Sequence, residues 1–469
     1  SGWINAGKLE VNTRLANFEY DNYKLNLLST DQTLFRLKPL REEDGTRSIA
    51  MASNLTGISG EILIDAPENK SGNKSEFDNY PRLISKTSTK VFYDSKDIHR
   101  GVYDSTRFYY SVFPFELDSL NTFKESAFRL KGELTSAQIF PKIKEDLKIM
   151  PDYSFGFSTN APDEGYNFYE TETKYKNKIV LSNNGLQGLG SIKFVHSTSI
   201  SNSFTFLPDS AVGFAQFENI PIETDVEFPD VTAKDAYVTY VPKQQILRVR
   251  STPNNKMAFF NQDARFRGTV TIRPKGMTGS GLMTFVNASL ASDNFRYKRY
   301  DIYTDTSRFN LKNESSDFEE YPLVFKTDNV NAHISFKERK GIFKSNEGES
   351  FVEFPMNQYL CRMDQFTWLI DELSIEIQKK EETQNNINSE VDFVRPNFLS
   401  THSKQDSLKF RAAYAKFDLQ EKTIYCQKVE YLDIADARIY PDSMKLNIRK
   451  KAKIDKLINA KIVANYTTK

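Results

Sequence analysis

Cysteine is almost absent from the chain: Cys361 and Cys426 are the only two among 469 residues. They lie 65 positions apart (426 − 361) and match no metal-ligand spacing. A disulfide framework is excluded, while one disulfide and two buried thiols both remain open. Histidine is as sparse. His99, His196, His333 and His402 are scattered, so neither a zinc site nor a histidine-based triad has a sequence signature. Calcium loops of the D-x-[DN]-x-[DN]-G type are also missing. No stretch reaches the ~20 apolar residues of a membrane helix, so no transmembrane helix is expected. An excess of one charge is lacking too. The 63 basic and 62 acidic residues leave a net charge of +1, which gives no global field to attract nucleic acid. The first residue is Ser, and no apolar run near the start reads as a signal peptide. A mature form or an excised segment is expected.

What is present is aromatic. There are 36 Phe and 23 Tyr against 2 Trp and 8 Met. Aromatic and β-branched residues suit strands, and the frequent Asn and Ser suit turns, so composition points to an all-β protein. One stretch occurs twice. Shifting residues 162–206 by 91 positions lays them on 253–297 without a gap. The shift places Gly185, Gly188 and Gly190 on Gly276, Gly279 and Gly281. It also places Phe168 on Phe259, Phe194 on Phe285, Ser201 on Ser292 and Phe204 on Phe295. Apolar positions between the identities agree in kind, as with Tyr175 and Phe266 or Phe206 and Tyr297. Ile192/Phe194 and Met283/Phe285 alternate with polar residues, as on one face of a strand. Each glycine cluster is therefore expected to link two strands. A phosphate-binding loop is rejected, because it needs a following helix whose N-terminus receives the anion.

A second pattern, alanine followed four residues on by an aromatic, starts at Ala16, Ala236, Ala332 and Ala413. In the last three an apolar pair follows, Ile246-Leu247, Ile342-Phe343 and Ile424-Tyr425, which reads as a hairpin. The spacings of 96 and 81 lie near 91, so both patterns belong to one module of ~90 residues. The expected divisions are an N-terminal β region with a worn copy of the repeat (1–150), two β repeat modules (151–250 and 251–345) and a C-terminal β module (346–469). The last carries a flexible insertion near 379–390. Short helices are expected at 118–123, 141–150 and the start of 363–380.

The aromatic positions Phe194, Phe204, Phe206, Phe285, Phe295 and Tyr297 recur in register. They read either as core or as a continuous apolar groove able to hold acyl chains. Asp209, Asp301, Asp305, Asp433 and Asp436 are carboxylates of the kind that could pair as acid and base, but the sequence brings no two of them together. No catalytic, cofactor-binding or metal-binding residue is assigned, and the chain is read as more a binding or structural protein than an enzyme.

The terminal segment Ala412-Ala-Tyr-Ala-Lys-Phe-Asp418, with Ile424 and Ala435-Asp-Ala-Arg-Ile-Tyr-Pro-Asp442, resembles the short alanine/aromatic/aspartate repeats of the OstA-like β-taco proteins. That family carries lipopolysaccharide across the periplasm. The whole chain is similar in style to large cell-envelope β-repeat proteins of Bacteroidota. The resemblance implies an elongated β-solenoid or β-taco-like fold, or stacked β-sheet repeat modules, in the periplasm or on the outer surface. The function expected is a non-enzymatic scaffold or a lipid- or glycolipid-handling module. Its partners would be other envelope proteins or further domains of the same chain. The alternative is a carbohydrate-binding or carbohydrate-cleaving β-solenoid.

Overall fold

Alternation of apolar and polar residues governs nearly every element of the computed structural model, which describes residues 2–40, 47–314, 320, 322–346, 351–378 and 396–464. The insertion expected near 379–390 lies outside the described residues. The fold is all-β and antiparallel, as composition requires. Among the described residues the helical elements are three-residue 3-10 turns such as Pro67–Asn69 and Ser403–Gln405. Two expected helices are extended chain instead. The segment 141–150 is extended, bridging Leu134 to Ile143 and Leu130 to Leu147. The start of 363–380, expected as a helix, is the strand Gln365–Leu369, which forms a hairpin with the strand Ser374–Gln378. Its Phe366, Trp368, Ile375 and Ile377 all point to one buried face, a period of two that the short apolar run concealed.

The residues fall into two compact units. One comprises Ser1–Gln216 with Tyr237–Leu247, the other Phe217–Ala236 with Arg248–Lys469. The expected divisions at 150 and 345 lie inside these units.

The first unit holds a seven-stranded sheet built from Gly2–Ala6, Leu9–Glu19, Lys24–Leu37, Ile49–Ala50, Gly60–Leu63, Arg82–Ser85 and Phe115–Leu117. A three-stranded sheet of Thr89–Phe92, Phe108–Val112 and Gly132–Ser136 accompanies it. Phe35 anchors the core, with the rings of Phe123, Phe128 and Phe155 at 6.0, 5.5 and 6.1 Å. A meander of Lys174–Ser182, Gly185–Phe194 and Ser197–Leu207 follows.

The second unit holds a meander of Ala264–Arg273, Gly276–Thr284, Ala288–Tyr297, Asp301–Lys312 and Leu323–Ser335. Beyond Leu323–Ser335 the chain shuttles between two ladders. One grows from the end of that strand through Lys340–Ser345, Gln365–Leu369, Ser374–Gln378, Tyr414–Asp418, Thr423–Gln427 and Lys445–Ile448. The other grows from its beginning through Phe351–Phe354, Tyr359–Arg362, Phe398–Ser400, Lys409–Phe410, Leu432–Ile434, Ala437–Tyr440 and Lys461–Val463. Both expected charged turns, after Phe336 and after Asp418, close hairpins in which Ser335 pairs with Lys340 and Asp418 with Thr423.

Register lines the inward residues of each ladder into rows. Ala332, Phe343, Phe366, Ile377, Ala415, Cys426 and Leu446 are successive partners on the first ladder, and all are buried. Val352, Cys361, Phe398, Phe410 and Leu432 form the matching buried row on the second. The ladders face each other through Phe354 and Phe417, whose ring centroids are 5.2 Å apart. Asn357 Nδ2 stitches their ends by donating to Lys422 O (2.9 Å) and Ile448 O (3.1 Å). Cys361 and Cys426 thus stand in different ladders, both buried and not joined by a disulfide. Burial pushes the Cys426 thiol well above its ordinary value.

Candidate functional site

The six aromatic positions singled out in the sequence surround two corresponding irregularities in the backbone. In the first unit Ser182 pairs with Gly185 across a two-residue turn, and in the second Arg273 pairs with Gly276 in the same way. The glycine clusters do not link strands, as their spacing suggested. They open the strand that follows the turn, with Gly188 and Gly279 well inside it. On the next strand Gly188 pairs with Phe204 and Gly190 with Ser201, so three steps oppose two. The same bulge stands between Gly279/Gly281 and Phe295/Ser292.

One hydroxyl secures each bulge. Ser201 Oγ accepts from Ser203 N (3.0 Å) and donates to Phe214 O (2.6 Å). Ser292 Oγ accepts from Asn294 N (3.2 Å) and donates to Thr306 O (2.7 Å). The bulge leaves a backbone amide off the regular ladder, and the hydroxyl satisfies it where burial would make an orphan costly.

The glycines make room for rings. A Cβ on Gly188 would lie 2.4 Å from the Phe206 ring and 2.4 Å from the Tyr175 hydroxyl. A Cβ on Gly279 would lie 2.8 Å from the Tyr297 hydroxyl. Over each glycine sits an aromatic cluster of the same composition. Phe168, Tyr175 and Phe206 lie 5.0–5.9 Å apart in the first unit. Phe259, Phe266 and Tyr297 lie 5.0–6.2 Å apart in the second. Phe204 stacks on Phe206 and Phe295 on Tyr297. Phe194 meets Tyr240 at 5.4 Å, while Phe285 meets Phe336 at 6.1 Å and Trp368 at 5.4 Å. Tyr240 and Phe336 are the aromatics of the alanine pattern, so the two sequence patterns meet in one cluster.

All six positions are buried, from 0% exposed for Phe204, Phe206 and Phe295 to 9% for Phe285. Each is covered by rings of its own unit, and the arrangement is that of a packed core. Tyr103 clamps the first cluster. Its hydroxyl donates to Phe206 O (2.8 Å) and accepts from Leu186 N (3.0 Å), and burial pushes its pKa up to about 12. Tyr297 carries a hydroxyl where the first cluster has Phe206. That group is buried without a hydrogen-bond partner, and burial raises its pKa well above the ordinary value.

Four of the carboxylates noted in the sequence face basic side chains. Asp301 accepts from His333 Nε2 at 2.8 Å, with the imidazole stacked on Tyr303 at 4.3 Å. Asp305 takes both ends of the Arg296 guanidinium, at 2.5 and 2.8 Å, which holds its carboxyl below the usual range. Asp209 meets Lys243, and Asp433 meets Arg438 in a fork of 2.7 and 2.9 Å. Among the described residues no group of three or more His, Cys, Asp or Glu is placed to hold a metal ion. No helix there is long and apolar enough to cross a membrane.

The sequence reading passed over one feature. The solvent face of the second glycine segment holds a depression of about 340 Å3, lined mostly by polar residues from three strands, with Phe295 and Gly279 among them. Its signal lay in the positions where the two aligned segments differ, whereas the reading followed those where they agree.

Comparison with family models, with curated proteins and with solved structures yields no match to this chain.

Proposed function

We propose that this chain is a non-enzymatic repeat protein of a bacterial cell envelope that acts as a structural scaffold. The observation that carries the reading is how the interior is filled. The positions that would line an acyl groove are occupied, ring against ring, by Phe168, Tyr175, Tyr240, Phe259, Phe266, Phe336 and Trp368. A carrier of acyl chains needs an open apolar slot, and here neighbouring side chains fill it. The filled core therefore favours scaffold over lipid handling.

Two features support the repeat reading. The pairings of residues 174–207 and 265–297 correspond at a shift of 91, including the bulge and its serine. Successive hairpins shuttle between two facing ladders, an arrangement in keeping with OstA-like repeats. Placement in the envelope rests on the resemblance of the terminal segment to that family. Partners would be neighbouring envelope proteins or further domains of the same chain.

The test is native mass spectrometry of protein purified from its own source, before and after organic-solvent extraction. The scaffold reading expects the bare polypeptide mass and an unchanged melting temperature. A stoichiometric acyl lipid, with a drop in melting temperature once it is extracted, would overturn it in favour of lipid handling.

A further inference from the structure

The depression on the second unit lies on the strands Ala264–Arg273, Gly276–Thr284 and Ala288–Tyr297, on the face opposite the aromatic cluster. Thr269, Thr271, Thr278, Ser280, Asp293 and Arg296 line it. Register makes them neighbours: Thr269 pairs with Ser280, Thr271 with Thr278, and Thr278 with Arg296. We propose that this depression is a binding site for a neutral saccharide, of about one or two sugar rings.

Three observations carry the assignment. The first is the chemistry of the wall. The hydroxyls of Thr269, Thr271 and Thr278 are engaged in no hydrogen bond among the described residues and can both donate and accept. Ser280 Oγ donates to Asp293 Oδ1 (3.0 Å), which orients that carboxylate and leaves its second oxygen to accept. Hydroxyls beside one carboxylate match the alternating donors and acceptors of a sugar. They do not match an anion, because the only cation in the wall, Arg296, is already engaged by both oxygens of Asp305. A divalent cation would need more oxygen ligands than one carboxylate and scattered hydroxyls supply.

The second observation is a comparison within the chain. The first unit has the same strands, register and bulge, yet at the matching positions it carries Lys178, Val180, Gln187, Leu189, Asn202 and Thr205. There Leu189 stands 46% exposed on the surface where Ser280 stands in the second unit. In the second unit short hydroxyl side chains stand at positions where the first unit carries longer or apolar ones.

The third is the size of the space. The volume, about 340 Å3, is at the small end of ligand sites, which run from roughly 300 to 1,000 Å3, and this limits the occupant to one or two rings.

The experiment is saturation-transfer NMR on the full chain with cellobiose, maltose and N,N′-diacetylchitobiose, each at millimolar concentration. It is paired with the double variant Thr271→Val, Ser280→Leu. Both replacements are residues that the first unit carries at the matching positions, so circular dichroism should be unchanged. The single variant Asp293→Asn keeps the side-chain size and removes only the charge. At least one disaccharide is expected to give transfer in the wild-type chain, with affinity falling on the order of tenfold or more in the double variant. A smaller loss is expected in Asp293→Asn. Absence of transfer from all three sugars overturns the proposal, as does transfer that survives the double variant undiminished.

Discussion

At the scale of single residues, the glycines inside the bulged strands are set by what lies over them. Gly188 is covered by the Phe206 ring and the Tyr175 hydroxyl at distances no Cβ tolerates. Gly188→Ala is therefore expected to cost about 1–3 kcal/mol through displaced rings, read as a lower urea midpoint at constant slope. The buried tyrosines set a second expectation. In the folded chain Tyr103 titrates at about 12, and burial also raises Tyr93, Tyr169 and Tyr297. An unfolded tyrosine titrates at about 10. Between these values the unfolded chain binds fewer protons than the folded one, so stability is full below pH ~10 and falls as pH rises towards 12. Tyr103 alone accounts for a loss on the order of 2–3 kcal/mol across that window. Urea melts at stepped alkaline pH check it, and Tyr103→Phe should flatten the decline.

At the scale of elements, alternation decides which residues become interior, and pairing decides which of them meet. Trp368 is the largest fully buried side chain and packs against Phe285, just past the strand Gly276–Thr284, and Phe309 of the strand Asp301–Lys312. Trp368→Ala is expected to cost about 3–5 kcal/mol by leaving a cavity that the surrounding rings cannot fill. The same residue supplies the readout. The other tryptophan, Trp3, is 55% exposed, so blue-shifted emission in the native chain belongs to Trp368. A native chain whose blue-shifted emission survives Trp368→Ala would contradict that burial.

At the scale of the whole molecule, function follows from which face is filled and which is left open. The aromatic faces are closed over themselves, and from this comes the expectation of a lipid-free protein in native mass spectrometry. On one segment the polar face is open, and from this comes the expectation of a weakly held sugar. The two expectations rest on opposite faces of the same strands. A scaffold without a sugar site and a sugar site on a lipid-bearing protein are therefore separable results.

Much of this was legible in the chain itself. The period of two and the abundance of Phe and Tyr determine an all-β fold, because those residues pack well only on a pleated, half-buried surface. The 91-residue shift pairs the residues that later share a register, from Gly188 and Gly279 to Ser201 and Ser292. The helical reading of the start of 363–380 failed because a short apolar run fits either period until a partner strand selects one. Other features required tertiary structure. Whether Phe194 and Phe285 line a groove or fill a core depends on what lies across from them, and Tyr240, Phe336 and Trp368 come from distant parts of the chain. The hydroxyl-lined depression likewise exists only once three strands set Thr271, Thr278 and Arg296 side by side. Local alternation is written in neighbouring residues, whereas the contents of a face depend on pairings that the chain makes only when it folds.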